Sequence, residues 1–103
     1  MKNMGDILRQ AQVVQNKLNK LQQEMATKEF EASSGGGMVT ARVSGRQELL
    51  ALVIDPKALE GGDVAMLQDL ILAAANEALR IAKGSMDREM SALTGGIKVP
   101  GMI

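Results

Sequence analysis

Lys17 and Lys20 stand within one turn of each other in a stretch patterned as a helix, and Arg9 shares their polar side. Cations grouped on one helix face can pair with phosphate oxygens, each contact adding to the salt sensitivity of binding. The same side chains also suit a plain solvated face. Farther along, Arg80, Lys83 and Arg88 form a second candidate set, and Glu77, Asp87 and Glu89 lie where they can neutralise it along the helix. Arg42 and Arg46 sit on the polar face of a strand and at a turn, where Glu31 or Glu48 can pair with them across strands.

No other chemistry has a cast. The chain contains neither histidine nor cysteine, which removes disulfides, thiol catalysis, imidazole acid/base chemistry and most zinc sites. Asp55 precedes a proline and reads as a cap, while Asp63 and Asp69 occupy a helix start, where the dipole favours anions. Without a nucleophile and base the chain is not expected to be an enzyme, and no metal or cofactor is expected. Gly35-Gly36-Gly37 lacks the following Lys-Ser/Thr of a phosphate cradle and reads as a hairpin turn. Phe30 is the only aromatic residue, so there is no stacking platform for single strands.

These residues need elements to position them. Met4, Ala11, Leu18 and Met25 recur every seven residues, with Ile7, Val14 and Leu21 between them. Such a seam predicts a helix from Asn3, its cap, to about Thr27, with one face asking for a partner surface and a glutamine-rich wet face opposite. Alternation then predicts strands over 28–34 and 38–44. Residues 48–54, Glu-Leu-Leu-Ala-Leu-Val-Ile, are apolar on both faces, which predicts a strand covered twice, by a long helix and by a second subunit. Asp55-Pro56 starts a short helix over 56–59, and Asp63 opens a long one to about Leu93, with a bend or soft point expected at Gly84-Ser85. The fold class is α+β: long helix, three-stranded antiparallel sheet, short helix, long helix. One domain covers 1–96, and 97–103 form a short apolar tail that is free or docks on a partner.

The 12 bases and 12 acids cancel, but they are unevenly placed. Residues 2–28 hold Lys2, Arg9, Lys17, Lys20 and Lys28 against Asp6 and Glu24, a local charge of +3. Residues 29–62 and 63–90 each stand at −2, and Lys98 restores neutrality. Dimerisation would double the basic helix. The absence of a secretory leader pattern and of any apolar run near ~20 residues predicts a cytoplasmic protein that does not span a membrane. Surface binding by the first helix lacks the aromatic anchors it would use.

In order along the chain, Gln10-Ala11-Gln12, Leu21-Gln22-Gln23-Glu24-Met25, Gly35-Gly36-Gly37-Met38-Val39-Thr40 and Gly45-Arg46-Gln47-Glu48-Leu49-Leu50 are followed by four more pieces. These are Ile54-Asp55-Pro56, Met66-Leu67-Gln68-Asp69-Leu70-Ile71, Ala74-Ala75-Asn76-Glu77-Ala78 and Pro100-Gly101-Met102. Together they make the chain resemble the YbaB/EbfC family of bacterial nucleoid-associated proteins. The resemblance implies a homodimer, intertwined or joined sheet to sheet, with long helices projecting like tweezer arms. It also implies duplex DNA binding with limited sequence preference and a role in nucleoid organisation or gene regulation. On that basis Arg9, Lys17, Lys20, Arg80, Lys83 and Arg88 are the expected DNA contacts. The rival expectation is a protein-interaction module that docks partners through its heptad face, its Met-rich helix and its tail.

Overall fold

The computed structural model describes residues 3–93, so the predicted tail at 97–103 lies outside the described residues. Helix α1 spans Met4–Thr27. The side-chain oxygen of Asn3 accepts the Asp6 N–H at 2.9 Å, and Asp6 adds a negative charge at the positive end of the helix dipole. Side-chain bonds from Gln12 to Asn16 at 3.2 Å and from Gln15 to Asn19 at 3.1 Å brace the helix one turn apart.

Strands β1 (Glu29–Ser34), β2 (Val39–Ser44) and β3 (Leu49–Ile54) form one antiparallel sheet in sequence order. Gly35, Gly36 and Gly37 join β1 to β2 with φ of 60°, 67° and 96°, angles that glycine adopts without a Cβ clash. Glu31 and Arg42 pair across the polar face at 3.2 Å, and Ser33 and Thr40 meet at 2.8 Å beside them. A short 3-10 helix, Pro56–Leu59, is capped by Asp55, whose carboxylate accepts the Lys57 N–H at 2.9 Å. Helix α2 then spans Val64–Leu93, its first turn held by the Asp63 carboxylate accepting the Met66 N–H at 3.0 Å. Helix α2 continues through Gly84-Ser85 without a break in its helical residues. One interior glycine costs only about 1 kcal/mol, which 30 residues of helix readily offset.

The core is a single interface. Val39, Ala41 and Val43 of β2 are fully buried against Ala74, Ala78 and Ala82 of α2. Alanines on the helix let it lie close to the sheet, and burying each valine contributes about 1.5–3 kcal/mol. Phe30, Ala32, Leu70 and Ile71 close the flanks, and Ser34 Oγ donates to the Leu70 carbonyl at 2.5 Å.

One expectation about burial is corrected, the long helix as a cover for β3. Strand β3 is not covered within the chain. It is the sheet edge, α2 packs on β1 and β2 instead, and Leu49, Leu50 and Val53 remain 50%, 48% and 58% exposed. The register between β2 and β3 slips at Arg42/Val43, leaving Leu50 as the extra residue of a bulge. Within the chain, the heptad seam of α1, which asks for a partner surface, is covered only at its end. Leu21 and Met25 are buried, whereas Met4, Ile7 and Val14 are exposed. The helix leaves the body by its N-terminal half, and the molecule measures 72 × 23 × 16 Å.

Candidate nucleic-acid interface

Pairing separates the arginines of the sheet from the cations of α1. Arg42 is bound to Glu31 and Arg46 stands 3.9 Å from Glu48, both on the sheet or its turn. Lys28, where α1 ends, lies 3.9 Å from Glu89. On α1, Arg9, Lys17 and Lys20 are exposed and make no ion pair among the described residues. Asp6 and Glu24 stand one turn from Arg9 and Lys20 without pairing, so the three cations stay available to a polyanion.

The second candidate set is divided. The Arg80 guanidinium forms a two-pronged pair with Glu77 of the preceding turn, at 2.9 and 2.5 Å. The hydrogen bond from Arg80 holds the Glu77 carboxyl below the usual carboxylate range, with the nearby positive charge acting in the same direction against desolvation. It holds Arg80 above its ordinary value in turn. Lys83 and Arg88 have no ionic partner among the described residues. They do not share a stripe: five residues along a helix is a turn of roughly 140°. Lys83 faces α1, while the Arg88 guanidinium lies along Gly84, 3.4 Å from where a Cβ would stand.

Lys83 belongs to a cleft of about 740 Å³ where α1 and α2 part. Asn19, Gln22, Gln23 and Ala26 line one wall, Lys83, Met86 and Asp87 the other, and Gly45, Arg46 and Gln47 lie at the base with Met25. The base is a rigid turn. Ser44 Oγ accepts the Arg46 and Glu48 N–H groups at 3.2 and 3.3 Å, Gln47 donates to the Ser44 carbonyl at 2.9 Å, and Gln47 itself adopts a left-handed φ of 64°. Arg9, Lys17 and Lys20 do not line the cleft. By sequence alone, the amides of its α1 wall read only as helix formers on a wet face. Their signal was present as spacing: Gln12, Asn16, Asn19 and Gln23 recur every three or four residues, opposite the apolar seam.

Among the described residues no group of histidines, cysteines or acids is arranged to hold a metal ion, and no helix is long and apolar enough to cross a membrane. The arrangement offers exposed cations, neutral hydrogen-bonding groups and an open cleft.

Comparison with known proteins agrees with this character. The model of the YbaB/EbfC DNA-binding family matches residues 1–97. A nucleoid-associated protein of Clostridium novyi is 47% identical over 100 residues, covering 97% of this chain and 88% of the relative. One from Moorella thermoacetica is 48% identical over 101 residues, covering 98% of this chain and 97% of its own. In three dimensions, the crystal structure of the uncharacterised protein HP0035 from Helicobacter pylori superposes with a TM-score of 0.77 at 22% identity, over 92% of this chain and 98% of that one. That likeness bears on the fold: a long helix, a three-stranded antiparallel sheet and a second long helix. With a family model matched over nearly its whole length and relatives close to half identical, the chain belongs to the YbaB/EbfC DNA-binding family.

Proposed function

We propose that this protein binds duplex DNA as a homodimer in the bacterial cytoplasm, at the nucleoid, without catalysis or cofactor. It does so with little or modest sequence preference, and it acts on nucleoid organisation and gene expression. The observation that carries the reading is the placement of free charge. Arg9, Lys17 and Lys20 stand unpaired on the helix that leaves the body, while Arg42 and Arg46 on the body are paired. The names of the relatives support the same reading.

The homodimer is supported by β3. Its outer edge presents unpaired backbone groups, and both its faces expose large apolar side chains. Exposed apolar patches of this kind mark association surfaces, and an open edge strand is a template for pairing. Two copies joined there would present two basic α1 helices together, which raises the local charge a neutral chain can offer.

The test is fluorescence anisotropy of a random-sequence duplex, titrated at low salt and again near physiological salt, with sedimentation of the protein alone. A dimer whose affinity falls steeply with salt meets the reading. No binding at low salt removes it and favours the rival module, for which Met4, Ile7, Leu8 and Val14, exposed on α1, are the supporting observation.

A further inference from the structure

Charge alone is a thin basis for DNA affinity in a chain of zero net charge. We infer that the amide row of α1 is a second, uncharged DNA-contacting element, in which Gln12, Asn16, Asn19 and Gln23 hydrogen-bond to duplex backbone and groove edges. This inference rests on the DNA-binding reading above and names the groups that add to its cations.

The amides are concentrated. Helix α1 holds seven of them in 24 residues, against two in the 30 residues of α2. The exposed positions of α2 are instead divided between charged side chains, such as Asp69, Lys83 and Asp87, and apolar ones, such as Val64, Met66 and Leu72. The row also has order. Arg9, Gln12, Asn16, Asn19 and Gln23 follow a three-four-three-four spacing, so they stand above one another on one face, all exposed. From Arg9 to Gln23 the row is about 21 Å long, roughly the rise of six base pairs. At its lower end Asn19 and Gln23 open onto the cleft, where Lys83 supplies a cation from α2.

Amides suit this task chemically. The NH2 group donates to phosphate oxygens and to purine and pyrimidine acceptors, and the carbonyl accepts from base amino groups. Both capacities on one side chain make contact tolerant of sequence. The Gln12–Asn16 bond uses the Gln12 NH2 and the Asn16 carbonyl, and Gln15 donates to the Asn19 carbonyl, so the Gln12 carbonyl and the NH2 groups of Asn16 and Asn19 are the ones left for DNA. Being neutral, such contacts displace no counterions and persist as salt rises.

The test replaces Gln12, Asn16, Asn19 and Gln23 together by alanine in the full chain. Alanine is the best helix former, so α1 is retained, which circular dichroism checks. Anisotropy is measured against the same random duplex at two or more salt concentrations, with Gln10→Ala as the control off the row. The expected result is an affinity loss of roughly 10- to 100-fold at every salt concentration, with an unchanged salt slope and a control within about twofold of the parent. Unchanged affinity in the four-residue variant overturns the inference and leaves charge as the whole interaction. An equal loss in the control overturns it too, because the row then has no special place. If the parent chain itself binds no duplex at low salt, the DNA-binding reading has failed first, and the inference falls with it.

Discussion

Gly45 and Met25 are pressed together where α1 leaves the body. A Cβ on Gly45 would overlap the Met25 carbonyl oxygen and stand 3.0 Å from its Cα, both backbone atoms that cannot rotate away. Gly45 also donates its N–H to the Lys28 carbonyl at 3.0 Å, so the turn between β2 and β3 is bolted to the end of the helix. Among the described residues, α1 has its buried side chains only nearby, at Leu21 and Met25. The position of the whole arm therefore depends on a residue without a side chain.

Gly45→Ala is expected to force the two backbones apart. Overpacking of this kind costs about 1–3 kcal/mol, which lowers the melting temperature by roughly 5–20 °C in a chain of this size. Thermal denaturation followed by circular dichroism measures it. A variant melting within a degree or two of the parent would show that α1 can move off the turn at little cost.

The edge of β3 leads to a second prediction. Leu52 is 37% exposed and Val53 is 58% exposed on the opposite face. A lysine at either place meets water in the isolated chain but would be buried by a partner sheet, where an unpaired charge is costly. Leu52→Lys and Val53→Lys should therefore turn the proposed dimer into a folded monomer, read by sedimentation at micromolar concentration with circular dichroism unchanged. A parent chain that sediments as a monomer would remove the homodimer altogether.

Most of the architecture was legible because its signals are local. Asn3, Asp55 and Asp63 precede helices and cap them as their side chains predict. Alternation at Val39, Ala41 and Val43 marked the buried face of β2, and the Arg42–Glu31 pair follows from polar residues opposed across two strands. What failed was non-local. A strand apolar on both faces, such as Leu49–Ile54, states that it will be covered but not by which chain. The seam of α1 is uniform from Met4 to Met25, so nothing in its pattern says that only Leu21 and Met25 meet the body. The division of Lys83 from Arg88 was readable from their five-residue spacing, whereas the cleft needed the crossing of α1, α2 and the turn at Gly45.

Ser44 is the only buried polar side chain among the described residues, and its hydroxyl oxygen caps two backbone N–H groups of the cleft base. Ser44→Ala leaves the Arg46 and Glu48 N–H groups without that acceptor, a cost of about 1–3 kcal/mol. Chemical denaturation should show a lower midpoint with an unchanged slope. A midpoint identical to that of the parent would mean that water replaces the hydroxyl fully.

The last prediction separates free cations from bound ones. Removing one cation that meets a phosphate reduces the salt slope of duplex binding by roughly 0.9. Lys17→Gln/Lys20→Gln should therefore lower the slope by about two and weaken binding across unrelated sequences. Arg80→Gln should change it far less, because the Arg80 guanidinium is already engaged by Glu77. Acid releases that pair later than an isolated carboxylate, because the hydrogen bond from Arg80 holds the Glu77 carboxyl below its ordinary value. The contrast between the two variants should thus hold from neutral pH down to the usual carboxylate range, with anisotropy at several salt concentrations as the readout. If Arg80→Gln lowers the slope as much as a lysine substitution, the Glu77 pair opens when DNA binds, and α2 contributes its charge alongside α1.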